Sequence, residues 1–261
     1  DFSAGRQVIK LGRGFLINDD GTNLGNGPQG PNGGSLNRGG AYYAAARHAF
    51  DRTAVLRLGG QEGVHGSVLW LKSDNRVQAE TELAAGTLDY TTGAGTLGLT
   101  YIDVKDVDKQ YASASQLARD GMKTYSLRAQ GNAGVQDLFL SAEYARQDKR
   151  KVDNENAWYL EAGWTFSAVA WSPKVNYRYS RFSDGYDPLF YGLNRGFGTW
   201  FQGEVAGNYA GPFNSNTRVH HVGASVTPLE NLSVGALWFD YDTLDNDLGD
   251  LSGRELDVYA Q

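Results

Sequence analysis

The feature that most constrains this chain is an odd–even rhythm of side chains, repeated about a dozen times. In Thr96-Leu97-Gly98-Leu99-Thr100-Tyr101, large apolar residues fall at odd positions and small or hydroxylated ones at even positions. A strand points successive side chains to opposite faces, so each such segment has one greasy face and one wet face. The rhythm returns in Gly235–Tyr241 and Arg254–Ala260. It is strongest in Trp158–Phe166, where Trp158, Leu160, Ala162, Trp164 and Phe166 oppose Tyr159, Glu161, Gly163 and Thr165. In a soluble sheet the greasy face needs a core made elsewhere, and no obvious second layer is present to supply it. The expectation is an all-β chain, an antiparallel transmembrane β-barrel with its greasy face to lipid and its wet face to a lumen.

Composition fits that reading and excludes others. The chain of 261 residues is 41% hydrophobic and contains no run of 18 apolar residues, so it does not cross a membrane by helices. A barrel has such a bulk composition because only alternate residues meet lipid. Aromatic residues at 12% and 34 Gly suit interfacial girdles and tight turns. Tyr90, Tyr101, Trp158, Trp164, Phe166, Trp171 and Trp238 fall near strand ends, where girdles belong. A net charge of −6 argues against nucleic acid as a partner. Without Cys, the chain makes no disulfide, thiolate metal site or Cys nucleophile.

Twelve strands are expected, over 2–12, 53–59, 64–72, 83–90, 96–104, 124–130, 138–145, 158–166, 175–182, 217–227, 232–241 and 254–260. Short connections (60–63, 91–95, 131–137, 167–172 and 228–231) alternate with longer ones (17–51, 73–80, 105–122, 146–155, 183–215 and 242–253). Bacterial outer-membrane barrels alternate in this way between short periplasmic turns and long extracellular loops. The Ala-rich stretch 42–50 reads as a short helix inside the first long loop. The loop 183–215 carries Tyr186, Phe190, Tyr191, Phe197, Trp200 and Phe201 and is expected to fold over or into the barrel. Residues 1–261 are expected to form a single transmembrane barrel domain, either lacking flanking strands or a reduced barrel, and Asp1 begins almost inside a strand.

The wet faces hold Arg6, Lys10, Arg57, Arg128 and Arg178, interleaved with Glu143, Glu161, Glu255 and Asp257. One reading is a charged conduit, in which lumenal arginines focus positive potential on an anionic solute. Guanidinium matches carboxylate bidentately, which suits uronic acids. The other reading is that inward ion pairs fill the barrel and satisfy one another; both stay open at this point. His220 and His221 are adjacent on a strand and point to opposite faces, so they are not expected to share a metal, and no cofactor is expected. Calcium at the acidic stretch 242–250 is weaker than a solvated loop, because the spaced Gly and terminal Glu of a helix-loop-helix site are missing.

Several segments together resemble the bacterial alginate-export family of outer-membrane barrels. They are Gly5-Arg6-Gln7, Phe50–Arg57, Asp187-Pro188-Leu189-Phe190 with Gly203-Glu204, Val219–Gly223, Thr227–Leu232 and Glu255–Tyr259. The resemblance implies a monomeric barrel in the bacterial outer membrane that passes an anionic polysaccharide, an alginate-like polyuronate, through an electropositive constriction. It implies Arg6, Arg57 and Arg178 as constriction residues, with Lys10, Arg13 and Arg195 as secondary ones. Outer-membrane lipid and periplasmic secretion proteins are the partners it implies. The family barrel has eighteen strands, and twelve are read here. Three alternatives remain: a general porin for small anions, a membrane-embedded carbohydrate-active enzyme using Glu143 and Glu161, and a soluble β-sandwich binding module.

Overall fold

The computed structural model describes residues 1–18, 26–29, 35–37, 49–150, 152–191, 202–247 and 249–261. Most of the expected helix over 42–50 lies outside the described residues, as do Arg195, Phe197, Trp200 and Phe201. A small hairpin pairs Asn26–Gln29 with Ser35–Asn37.

Twelve antiparallel strands form one sheet whose spatial order is their order in sequence. They are β1 (Phe2–Gly5), β2 (Arg52–Leu58), β3 (Gly63–Lys72), β4 (Glu82–Thr92), β5 (Gly95–Asp106) and β6 (Lys123–Gly131). Then come β7 (Leu138–Asp148), β8 (Glu155–Thr165), β9 (Lys174–Phe182), β10 (Thr217–Leu229), β11 (Leu232–Thr243) and β12 (Gly253–Ala260). Short turns and long connections alternate as expected except around β8, where the strands run past their expected ends and leave the β7–β8 connection (149–154) no longer than the β6–β7 turn (132–137) and shorter than the β8–β9 turn (166–173). Among the described residues β1 and β12 are the two edges of the sheet. Leu71 of β3 and Leu83 of β4 join one buried cluster with Ala157 of β8 and Phe182 of β9. The sheet therefore curls until strands far apart in its order enclose a common interior.

The outer face decides between a barrel wall and a sandwich. Leu97, Leu99, Leu160 and Trp164 are 59%, 52%, 58% and 39% exposed, with no second layer over them among the described residues. Tyr90, Tyr101, Phe166, Trp171 and Trp238 are exposed on or beside the same wall. The sandwich reading fails here, because the side chains that would fill its core face outward instead.

The first strand is shorter than expected. It ends at Gly5, whose φ of +115° turns the chain out of the sheet. Residues 7–18 then run into the barrel, and Ile9, Leu11, Phe15, Leu16 and Ile17 are buried. Their imperfect alternation reflects packing on several sides at once rather than a strand with two faces. The segment folds on itself through Gly14 N–H donating to Leu11 O (2.8 Å) and Leu11 N–H to Ile17 O (3.1 Å).

A second inward segment joins it. After β9, residues 183–191 turn into the interior, and Asn18 N–H donates to Phe190 O (2.7 Å) while Phe190 N–H donates to Leu16 O (3.2 Å). Phe50 packs on Phe190 with ring centroids 4.6 Å apart, and Phe15 sits 5.2 Å from Tyr159 and 5.8 Å from Phe182. The expectation that aromatic residues of this loop enter the barrel thus holds for Tyr186 and Phe190, both buried.

The lumen is consequently divided. Near the long connections its wall is apolar and packed: Val55, Leu69, Leu71, Leu83, Ala85, Ile102 and Val104 are all buried. Near the short turns it is polar, with Ser67 hydrogen-bonded to Thr87 (2.8 Å), His65 to Thr91 (3.0 Å) and Thr91 to Thr96 (2.8 Å). A uniformly wet inner face is not what the strands build.

Candidate functional site

At the boundary between the two halves, the tip of the first inward segment meets the wall. A Cβ on Gly12 would lie 2.7 Å from Cδ of Arg128, so glycine is what lets the tip approach that side chain. Arg13, buried, places its guanidinium over the Phe139 ring at 5.0 Å, a cation–π contact. It is also within electrostatic reach of Glu143 and Arg178.

The wall opposite is built by β4 to β9. Arg128 of β6 hydrogen-bonds Asp89 of β4 and Thr100 of β5. Glu143 of β7 accepts from Ser126 Oγ at 2.5 Å. Arg178 of β9 lies 3.9 Å from the Glu161 carboxylate of β8, which also accepts from Asn176 Nδ2 at 2.8 Å. Tyr159 and Ser141 hydroxyls bond at 2.8 Å between them. Alternation puts all of these on one face, and the register of β6 to β9 brings them side by side. Around this waist Arg13, Arg128 and Arg178 face Asp89, Glu143 and Glu161, so formal charge cancels. Of the two readings of wet-face charge, mutual pairing describes Arg128 and Arg178.

The remaining expected residues part ways. Arg57 is on the inner face at the turn end of β2, exposed, and its Nη1 donates to Ser3 Oγ at 3.4 Å; it has no carboxylate partner among the described residues. Lys10 is not on a strand: it forms an isolated bridge with Asn18, inside the inward segment. Burial, and then the Arg13 charge, lower the pKa of its ammonium. Arg6 is not on a strand, since β1 stops at Gly5 and does not run through residue 12; beyond its end Arg6 pairs with Asp74 at 2.9 Å.

Glu255 and Asp257 of β12 do face inward, but they hold chain rather than line an open path. Glu255 accepts from the N–H groups of Val205 (2.7 Å) and Ala206 (2.9 Å), and Asp257 accepts from Glu204 N–H (3.3 Å). Tyr241 closes the same contact by donating to Gln202 O at 2.7 Å. His221 is buried against Phe239, ring centroids 4.6 Å apart, while His220 faces outward and bonds the Tyr177 hydroxyl at 2.7 Å. The pair is split between faces, as adjacent strand residues must be.

One set of interior residues carried no local signal in the sequence. Arg119, in the β5–β6 connection, grips Asp187 through two bonds of 2.7 and 2.8 Å, and both side chains are buried. Gln147 of β7 donates to Asp187 O (2.6 Å) and accepts from Asp187 N–H (2.9 Å). Burial works against the charged Asp187 carboxyl; the Arg119 guanidinium and its hydrogen bonds overcome this and hold the pKa below the ordinary carboxylate value. This clasp fixes the second inward segment to the wall.

No protein-family model matches the chain, and no curated protein matches it. Among solved structures it resembles an anion-selective porin from Comamonas acidovorans, at 12% identity and a TM-score of 0.50, covering 99% of this chain and 68% of that one. It also aligns with outer-membrane expressed OmpT of Vibrio cholerae at 10% identity and a TM-score of 0.44, covering 81% of this chain and 65% of that one. The fold is that of an outer-membrane β-barrel of the porin kind, set in lipid by the exposed apolar belt of its wall.

Proposed function

We propose that the chain forms an outer-membrane channel for small anionic solutes. The observation that carries this reading is the placement of unmatched positive charge. Wall arginines are neutralised by partners, whereas Arg57 at the turn-side mouth and Lys10 in the inward segment have no carboxylate partner among the described residues. Cations in a narrow low-dielectric passage raise the local concentration of anions. The similarity to an anion-selective porin supports the same reading. The resemblance to alginate exporters keeps a polyuronate as the finer alternative. Planar-bilayer recordings across a KCl gradient test both: the reversal potential is expected on the anion side, with no block by oligouronate. A cation-side potential overturns the proposal; a concentration-dependent block by oligouronate replaces it with the polysaccharide reading.

A further inference from the structure

Arg128 reaches its carboxylate partner by crossing a whole strand. Asp89 of β4 is directly opposite Gly98 of β5, and Gly98 is directly opposite Arg128 of β6. Neighbouring strands lie about 4.7–4.9 Å apart, so roughly 10 Å of wall separates the two charged residues, with Gly98 between them. Their side chains meet all the same. Arg128 Nη2 donates to Asp89 Oδ1, and Nη1 donates to Thr100 Oγ1, the next inner-face residue of β5. The guanidinium therefore lies along the wall, over the Gly98 backbone. Arg178 and Glu161, by contrast, are direct partners on adjacent strands and have nothing to cross.

The space over Gly98 is full. A Cβ there would lie 2.2 Å from Asp89 Oδ1 and 2.7 Å from both Cζ and Nε of Arg128. From the lumen side Gly12 covers the same side chain, and its own Cβ would lie 2.7 Å from Arg128 Cδ and 2.8 Å from Nε. Between these two glycines only 10% of the Arg128 side chain and 11% of the Asp89 side chain stay exposed. A glycine inside a strand weakens it and marks a close approach. Strand pairing does not ask for one here: the flanking Leu97 and Leu99 face lipid, and the inner-face positions on either side, Thr96 and Thr100, carry side chains.

We propose that Gly98 is a positioning residue for ion selectivity: by leaving the crossing open it lays the Arg128 guanidinium on Asp89, so that this arginine neither narrows the lumen nor offers its charge to the solute. The proposal rests on the channel reading and names a residue that sets its selectivity. A side chain at 98 would lift the guanidinium off Asp89 and present it to the lumen as an unmatched cation. The atoms it would displace are the ends of two flexible side chains rather than backbone. The barrel is therefore expected to keep its fold while the ion pair moves.

Gly98→Ala in planar bilayers across a KCl gradient tests it. The reversal potential is expected to move further to the anion side, with the permeability of anions over cations rising about twofold, the effect of one unit charge acting through water over about 10 Å. In an Asp89→Asn/Arg128→Ala background the same substitution is expected to change nothing, because no ion pair is left to displace. Gly86→Ala in β4 is the control: its Cβ would meet only Ser67 O, at 3.9 Å, and selectivity is expected to stay that of the parent. Each variant is checked for the heat-modifiable electrophoretic mobility of a folded barrel. Urea unfolding in vesicles gives a second reading that needs no conduction: Gly98→Ala is expected to lower the unfolding midpoint of the parent and not that of the neutral background. An unmoved reversal potential overturns the proposal, as does an equal shift in the neutral background or in Gly86→Ala. Equal unfolding effects in parent and background overturn it too. A parent that prefers cations defeats the anion-channel reading but leaves the Gly98 comparison standing, since only differences between variants are read, so the two fail separately.

Discussion

On the inner face of β4, Leu83 and Ala85 are buried among apolar neighbours, while Asp89 and Thr91 further along the same face bond to Arg128, His65 and Thr96. The neighbouring β5 repeats the contrast, with Ile102 and Val104 packed and Thr96 and Thr100 polar. Both halves come from the same strands with the same alternation. They differ because residues 7–18 and 183–191 fold back into one half and stop short of the other. Alternation decides which side chains point inward, and returning chain decides whether they meet water or apolar neighbours. Each large apolar side chain removed from a wet lumen adds about 1.5–3 kcal/mol, enough for Phe15, Leu16 and Ile17 to dock the segment that carries them.

Removing the returning chain's anchor should therefore collapse the distinction between halves. Phe15→Ala deletes a ring that touches both Tyr159 and Phe182 and is expected to cost about 3–5 kcal/mol of docking or folding stability. Urea unfolding in vesicles measures the loss, and single-channel conductance is expected to rise as the segment undocks. Conductance unchanged at reduced stability would mean that the packed half was never on the solute's path.

The distinction between outer and inner faces comes next in size. Leu127→Arg puts a charge into the exposed belt, where an arginine near the bilayer midplane costs about 2–4 kcal/mol. Thr96→Arg, on the inner face of the polar half, is expected to leave stability close to that of the parent. Equal costs for the two substitutions would contradict lipid outside and water inside.

The clasp that holds the second inward segment gives a smaller and pH-dependent effect. Asp187→Asn replaces the charged partner of Arg119 and is expected to cost about 1.5–3 kcal/mol. Burial opposes the charged form of Asp187 and Arg119 outweighs it, so the folded-state pKa is depressed below its ordinary 3.8. A depressed carboxyl stabilises the fold fully above the unfolded value and loses that contribution as pH falls through the folded one. Stability of the native chain should thus decline below pH 3.8, and Asp187→Asn should flatten that decline.

Much of this was legible in the sequence, and the reason for each gap is physical. Strands such as Trp158–Phe166 announce themselves because period-two alternation is local, and the long and short connections follow from where it stops. The inward turn after Gly5 was hidden because Ile9 and Leu11 alternate well enough to extend a strand, although Gly12 and Gly14, at φ of +53° and +85°, mark the bends. The Arg119–Asp187 clasp joins residues 68 apart, and no local pattern encodes such a contact. Alternation places Arg128 and Arg178 on the inner face, but their partners Asp89 and Glu161 depend on register, which alternation alone leaves open.

The least effect on stability and the clearest on selectivity is expected at Arg57. Its guanidinium is exposed at the turn-side mouth and donates one long bond to Ser3, so Arg57→Ala removes little packing, and its stability change should stay within about 0.5 kcal/mol. Its charge, unlike that of Arg128, has no carboxylate to cancel it among the described residues. Arg57→Ala should therefore move the reversal potential in a KCl gradient toward zero, and adding Lys10→Ala should move it further. Ionic strength separates this from a change of pore shape, because an exposed charge is screened over about 10 Å at 0.1 M salt and over about 3 Å at 1 M. The difference between variant and parent is expected to shrink at high salt. A difference that persists there, or one produced equally by Thr96→Ala, would place the selectivity in the geometry of the polar half rather than in its unpaired cations.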